Sequence, residues 1–197
     1  VKRNTHWFIL GIIILFGTFL RFYNLGFRTL WWDEIVTVSI AQRDFWAIIK
    51  GLWSQNFIVF EGTPPFLHSV VHFMLAFGKD DFIVRFPMAL FGVAAIPVLY
   101  FLGRDLFNKS VGIYGAFLLS ISVFHIHYSQ ELRAYSAFLF FTLLSFLFFW
   151  MALQKKSYKY WIFYTIATIF LMYTHYWWVM VIFTQSLFVL ATECYPS

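Results

Sequence analysis

Phe27-Arg28-Thr29-Leu30-Trp31-Trp32-Asp33-Glu34 follows directly on an apolar run covering residues 7–23, and the reading of this junction decides the class of the chain. Tryptophan belongs at the membrane-water boundary, where its ring is apolar and its N–H stays wet. Trp31 and Trp32 therefore mark the end of a membrane span and hold Asp33 and Glu34 at headgroup level. A carboxylate pair at that depth faces lipid headgroups as well as water.

The rest of the composition agrees with that reading. Of 197 residues, 61% are hydrophobic and only 12% charged, and 28 are Phe, more than a soluble core of this size needs. The apolar runs are continuous rather than alternating, which excludes a closed β-barrel. The net charge of +5 is then a topology signal, and no nucleic-acid partner is expected. The lone Cys194 excludes an internal disulfide and a cysteine-built metal site. The run after Lys2 and Arg3 continues into Arg21, Phe22 and Tyr23 without a small-residue cleavage site, so an uncleaved anchor is expected.

Six runs approach spanning length: 7–23, 82–103, 111–128, 134–153, 160–174 and 176–192. A seventh, 65–78, opens on a Pro pair and carries His68 and His72 at i, i+4, which suits an interfacial or re-entrant helix. With that segment not crossing, Lys2, Arg3, Arg104, Lys109, Lys155, Lys156 and Lys159 all fall inside, and Arg133 alone lies in a short outer loop. The expected fold is all-α: one polytopic membrane helical bundle over 1–197, with about six spans and amphipathic juxtamembrane helices in a long first outer loop, 24–81. One such helix should run from Asp33 to about Lys50, with 46–53 either a second short helix or its continuation, and Pro64-Pro65 should restart a helix.

This topology brings four polar clusters to one outer face: Trp31 to Glu34, Glu61 to Pro65, His125 to Ser136, and Tyr173 to Trp178. Three elements in order carry a resemblance: Trp32-Asp33-Glu34 after one span, Pro64-Pro65 about thirty residues on, and the outer turn Gln130-Glu131-Leu132-Arg133-Ala134-Tyr135. The chain resembles the membrane part of glycosyltransferase C superfamily enzymes, in the branch of protein O-mannosyltransferases and lipid A aminoarabinose transferases. The resemblance implies a polyprenyl-phosphate-linked sugar as donor and a protein, lipid or glycan acceptor, glycosylated on the non-cytoplasmic side of the plasma membrane. It also implies catalysis by Asp33 with support from Glu34. The chain departs from relatives at Thr63, where they often carry Lys or His.

Transfer with inversion needs one carboxylate as general base, here Asp33, while cations and donors stabilise the departing phosphate. Arg28, Arg133 and His175 are the outer-face candidates for the phosphate, with Glu61 and Tyr135 as further substrate-binding candidates. Each has a plainer reading. Asp33 also has the place of a helix N-cap, Glu61 of a solvated loop acid, and Glu131 with Arg133 of a surface ion pair. His175 has the place of an interfacial histidine, and Arg85 of a snorkelling one-charge anchor. A divalent cation, Mg or Mn, would need Asp33, Glu34 and Glu131 to converge. A lipid transporter and a non-catalytic membrane scaffold are the other two classes; apolar span centres argue against the first.

Overall fold

The computed structural model describes residues 5–51 and 64–194, of which Gly51 and 192–194 are placed by backbone alone. Of the described residues 81% are helical, and none is in a strand. Among the described residues ten helices follow in order: α1 Thr5–Phe22, α2 Trp32–Ala41, α3 Phe45–Gly51, α4 Phe66–Met74, α5 Asp81–Leu106, α6 Lys109–Ile121, α7 Val123–Ser129, α8 Tyr135–Lys155, α9 Tyr158–Thr174 and α10 Trp178–Cys194.

By length and apolarity α1, α5 and α8 can cross a bilayer, and α6 with α7 makes a fourth if the bent pair is one span. The six spans expected from the sequence are not reached on this measure. At about 1.5 Å per residue, the 17 residues each of α9 and α10 fall short of a hydrocarbon core about 30 Å thick. The nine residues of α4 are far too few to cross. Between the two readings of this stretch, one continuous helix or a second short one, the structure has two helices, with a break after Ala41 where Asp44 Oδ1 accepts from Ala47 N (3.1 Å) to start α3.

The run 111–128 is also interrupted. Ser122 leaves helical geometry (φ −62°, ψ 109°) and its hydroxyl accepts from His125 N, so α7 restarts at 61° to α6. The break strands the last carbonyls of α6, and Arg21 at the end of α1 takes them. Its fully buried guanidinium donates to Leu119 O (2.9 Å), Ser120 O (3.1 Å) and Gly17 O (3.0 Å), and meets His125 Nδ1 at 2.8 Å. A cation at a helix C-terminus satisfies orphan acceptors and complements the dipole together. Gly92 lets α7 close onto α5 here, since a Cβ would collide with the Ser129 hydroxyl.

One end of the bundle gathers the chain connections that matter for function. Gln130 Nε2 donates to the carbonyls of Leu20 (3.1 Å) and Tyr23 (2.9 Å), tying the end of α7 to the end of α1. Tyr135, opening α8, meets His175 of the α9–α10 turn, with ring centroids 5.9 Å apart. Beneath this end lies a core of Leu67, Val71, Val84, Met88, Leu132, Ala137 and Leu171. The opposite end carries the α5–α6 and α8–α9 turns, where Trp150 Nε1 donates to Asp105 O (3.2 Å). Midway, Gln185 of α10 bonds Ser145 of α8 and Tyr164 of α9, both at 2.9 Å, so polar groups in the apolar interior satisfy one another.

Candidate active site

The connection from α1 to α2 ends at Trp31, which stands in extended geometry as the residue before the first helical turn. Asp33 thus lies inside that turn rather than at the cap position read from the sequence. Its carboxylate, 40% exposed, points to Arg133, with Asp33 Oδ2 3.7 Å from Arg133 Nη1; the guanidinium is 16% exposed. Arg133 comes from the turn between α7 and α8, so two stretches distant in the chain meet at one charge pair. At 3.7 Å the pair is looser than a hydrogen bond, which leaves oxygens of Asp33 accessible.

Glu34, the next residue, is fully buried. Arg85 at the start of α5 donates to it twice, Nε to Oε1 (2.9 Å) and Nη2 to Oε2 (2.5 Å). Leu132 N adds a third bond to Oε1 (2.7 Å) and Trp31 N a fourth to Oε2 (3.2 Å). The remaining donors of Arg85 reach the carbonyls of Arg28 (2.6 Å), Thr29 (3.3 Å) and Leu25 (3.4 Å). A buried bidentate ion pair with its other valences filled is the condition under which such a pair holds. Here it fixes the connection bearing Asp33 and the turn bearing Arg133 to one another. The sequence reading placed Arg85 at the surface as a headgroup anchor; the structure buries it beside Glu34. Only the packing of α5 against the α1–α2 connection reveals the pairing.

His175 is half-buried next to Phe138 and Tyr135, and its Nδ1 accepts from Trp177 N (3.3 Å). Burial, then the nearby charge of Arg133, holds its pKa below the ordinary value. At neutral pH it is a neutral ring, and with Nδ1 accepting, Nε2 carries the proton by inference from the hydrogen bond. It can therefore serve an anion as a neutral donor rather than as a cation. Tyr135 packs edge to face on Tyr128 at 4.7 Å, next in the chain to the Arg133 turn.

Glu131 pairs with His127 (Nε2 to Oε1 3.0 Å). These two residues and Arg28 line a separate cleft of about 760 Å3 together with Trp31, Glu34 and Arg85. Arg28 is thus a cleft residue. Glu61 lies outside the described residues. The oxygens of Glu34 are all taken by protein donors, and Glu131 faces the cleft, so Asp33, Glu34 and Glu131 do not converge on one ion. Among the described residues no three His, Cys, Asp or Glu side chains stand close enough to hold a metal.

Comparison with curated proteins finds no match, and comparison with solved structures finds none either. The family model for dolichyl-phosphate-mannose-protein mannosyltransferases matches residues 63–196, more than half of the chain. The match contains Arg85, Arg133, Tyr135 and His175 and begins after Asp33 and Glu34. With the family model spanning α4 to α10, the chain belongs to the dolichyl-phosphate-mannose-protein mannosyltransferase family, membrane glycosyltransferases of the GT-C type.

Proposed function

We propose that the chain transfers a hexosyl group from a polyprenyl-phosphate donor to a hydroxyl of a protein acceptor, with inversion, at the extracytoplasmic face of the membrane. The family's name supplies mannose on dolichyl phosphate as the donor type and protein as the acceptor type. The observation that carries the reading is the Asp33–Arg133 pair: a partly exposed carboxylate and a guanidinium, 3.7 Å apart at one end of the bundle.

In this reading Asp33 removes the acceptor hydroxyl proton as that oxygen bonds to the anomeric carbon. The bond from the anomeric carbon to the phosphate oxygen breaks, and its electron pair leaves with the lipid phosphate. Arg133 stabilises the charge gathering on that phosphate, and neutral His175 donates a hydrogen bond through Nε2. Tyr135 orients the Arg133 turn, Arg28 meets substrate in the neighbouring cleft, and Glu61 stands in the same outer loop as a further substrate contact. Glu34 acts through others: its bonds to Arg85 and Leu132 N hold the base and the cation in register, which makes it a positioning residue. Arg104, Lys109, Lys155, Lys156 and Lys159 collect at the opposite end, which supports placing that end in the cytoplasm and the site outside.

The test is transfer from polyprenyl-phosphate mannose to a peptide rich in Ser and Thr by purified protein, with the anomeric configuration of the product determined. The expected product has the configuration opposite to that of the donor. Retention of configuration, or no transfer by folded protein, would overturn the reading.

A further inference from the structure

Among the described residues, the end of the bundle opposite Asp33 and Arg133 carries Arg104, Lys109, Lys155, Lys156 and Lys159, from the α5–α6 and α8–α9 turns. Arg104 Nε donates to Asp105 Oδ1 (2.6 Å). Lys155 Nζ donates to the Tyr160 hydroxyl (3.0 Å), and Lys159 Nζ lies 5.7 Å from the centre of the Phe163 ring. Lys156 instead lines a cavity of about 390 Å3 beside the α8–α9 turn, together with Ala152, Leu153, Tyr158 and Trp161.

The backbone brings Lys156 there at a cost. It ends α8 in left-handed geometry (φ 46°, ψ 39°), a conformation that suits glycine at a helix C-terminus and strains a residue with a side chain. The tight turn lets Tyr158, the first residue of α9, and Trp161, one turn on, line the same cavity. The Trp161 ring is held edge to face by Tyr164 (5.8 Å) and Phe149 (6.4 Å), so that wall is in place before any ligand arrives.

A cation, a phenol and an indole beside the apolar Ala152 and Leu153 match a phosphodiester that carries hydrocarbon. Ammonium and hydroxyl donate to phosphate oxygens, the indole suits the level where headgroup meets acyl chain, and the apolar pair meets the first acyl carbons. Charge decides which phospholipid. A zwitterionic headgroup brings its own cation close to Lys155 and Lys159, whereas an anionic headgroup does not. Asp105, the carboxylate described at this end, is already bound to Arg104, so it does not neutralise the cavity.

We infer that this cavity binds one phospholipid with an anionic headgroup, with Lys156 as its phosphate contact. The site stands apart from the Asp33–Arg133 pair, and its test needs neither turnover nor knowledge of which leaflet it faces. That test is native mass spectrometry of the purified protein in detergent, titrated with phosphatidylglycerol or phosphatidylcholine. The first phosphatidylglycerol should bind about fivefold or more tightly than phosphatidylcholine, the worth of one lysine near an anionic surface. Lys156→Gln should abolish that preference, while Lys159→Gln, outside the cavity, leaves it within about twofold. Lys156→Gly, which suits the left-handed geometry, should also abolish it while unfolding at no lower temperature than wild type. No preference in wild type, an equal loss in Lys159→Gln, or a preference that survives both Lys156 variants would overturn the assignment. So would displacement of phosphatidylglycerol by an equal concentration of inorganic phosphate, which would make the ligand a free anion instead of a lipid. Any of these failures would leave the transfer reading standing.

Discussion

Glu34 and Arg85, 51 positions apart in the chain, are joined by two hydrogen bonds out of reach of solvent. Through Leu132 N on one side and the carbonyls of Arg28 and Thr29 on the other, this pair locks three segments into one rim. Removing either partner leaves an uncompensated buried charge. Arg85→Ala or Glu34→Ala should therefore destabilise the protein by about 3–5 kcal/mol, measured as thermal unfolding in detergent. Arg85→Lys should recover little, because an ammonium cannot supply the two-pronged contact together with three carbonyl bonds. Replacing both partners with apolar residues should restore part of the stability and none of the transfer activity.

Arg133 stands 3.7 Å from Asp33, and in the proposed reaction it stabilises the departing phosphate. Arg133→Ala should lower kcat by about 10²–10³-fold, the loss typical of one electrostatic stabiliser of a transition state, and raise the KM for the polyprenyl-phosphate donor. Unfolding temperature should change little, since the pair with Asp33 is partly exposed and loose. Steady-state kinetics with varied donor concentration checks this.

His175 gives a pH dependence whose sign follows from its environment. Burial and the Arg133 charge lower its pKa in the folded state, so the unfolded chain takes up the proton more readily than the folded one. Stability should therefore be constant above the ordinary histidine value of about 6.5 and fall as pH drops below it, toward the lowered folded value. Unfolding temperature against pH for wild type and His175→Gln should show the acid-side decline reduced in the variant.

Arg21 caps a broken helix from a neighbouring one. Arg21→Met keeps the apolar stem but strands the carbonyls of Leu119 and Ser120, and should cost about 1–3 kcal/mol. The loosening should be local, appearing as faster hydrogen exchange across residues 117–130 while α8 remains protected.

Much of this arrangement was legible in the residues. The runs at 7–23, 82–103 and 134–153 became α1, α5 and α8, because long apolar stretches leave the backbone no partner but its own helix. The break at Ser122 was not legible, since it depends on a serine cap together with an arginine arriving from α1. Glu131 and Arg133 read from proximity as one surface pair; the structure shows Glu131 with His127 and Arg133 with Asp33 from a distant stretch, contacts that neighbouring positions do not announce. Arg85 read as a lone charge near a span end because its carboxylate lies in another segment.

The central claim is that Asp33 is the base, and the most direct measurement is turnover of Asp33→Asn in vesicles with saturating donor and peptide. The variant keeps the shape of the side chain and leaves the buried Glu34–Arg85 pair untouched. The account predicts transfer reduced by about 10²–10⁴-fold at an unchanged unfolding temperature. Turnover within a few-fold of wild type would contradict it.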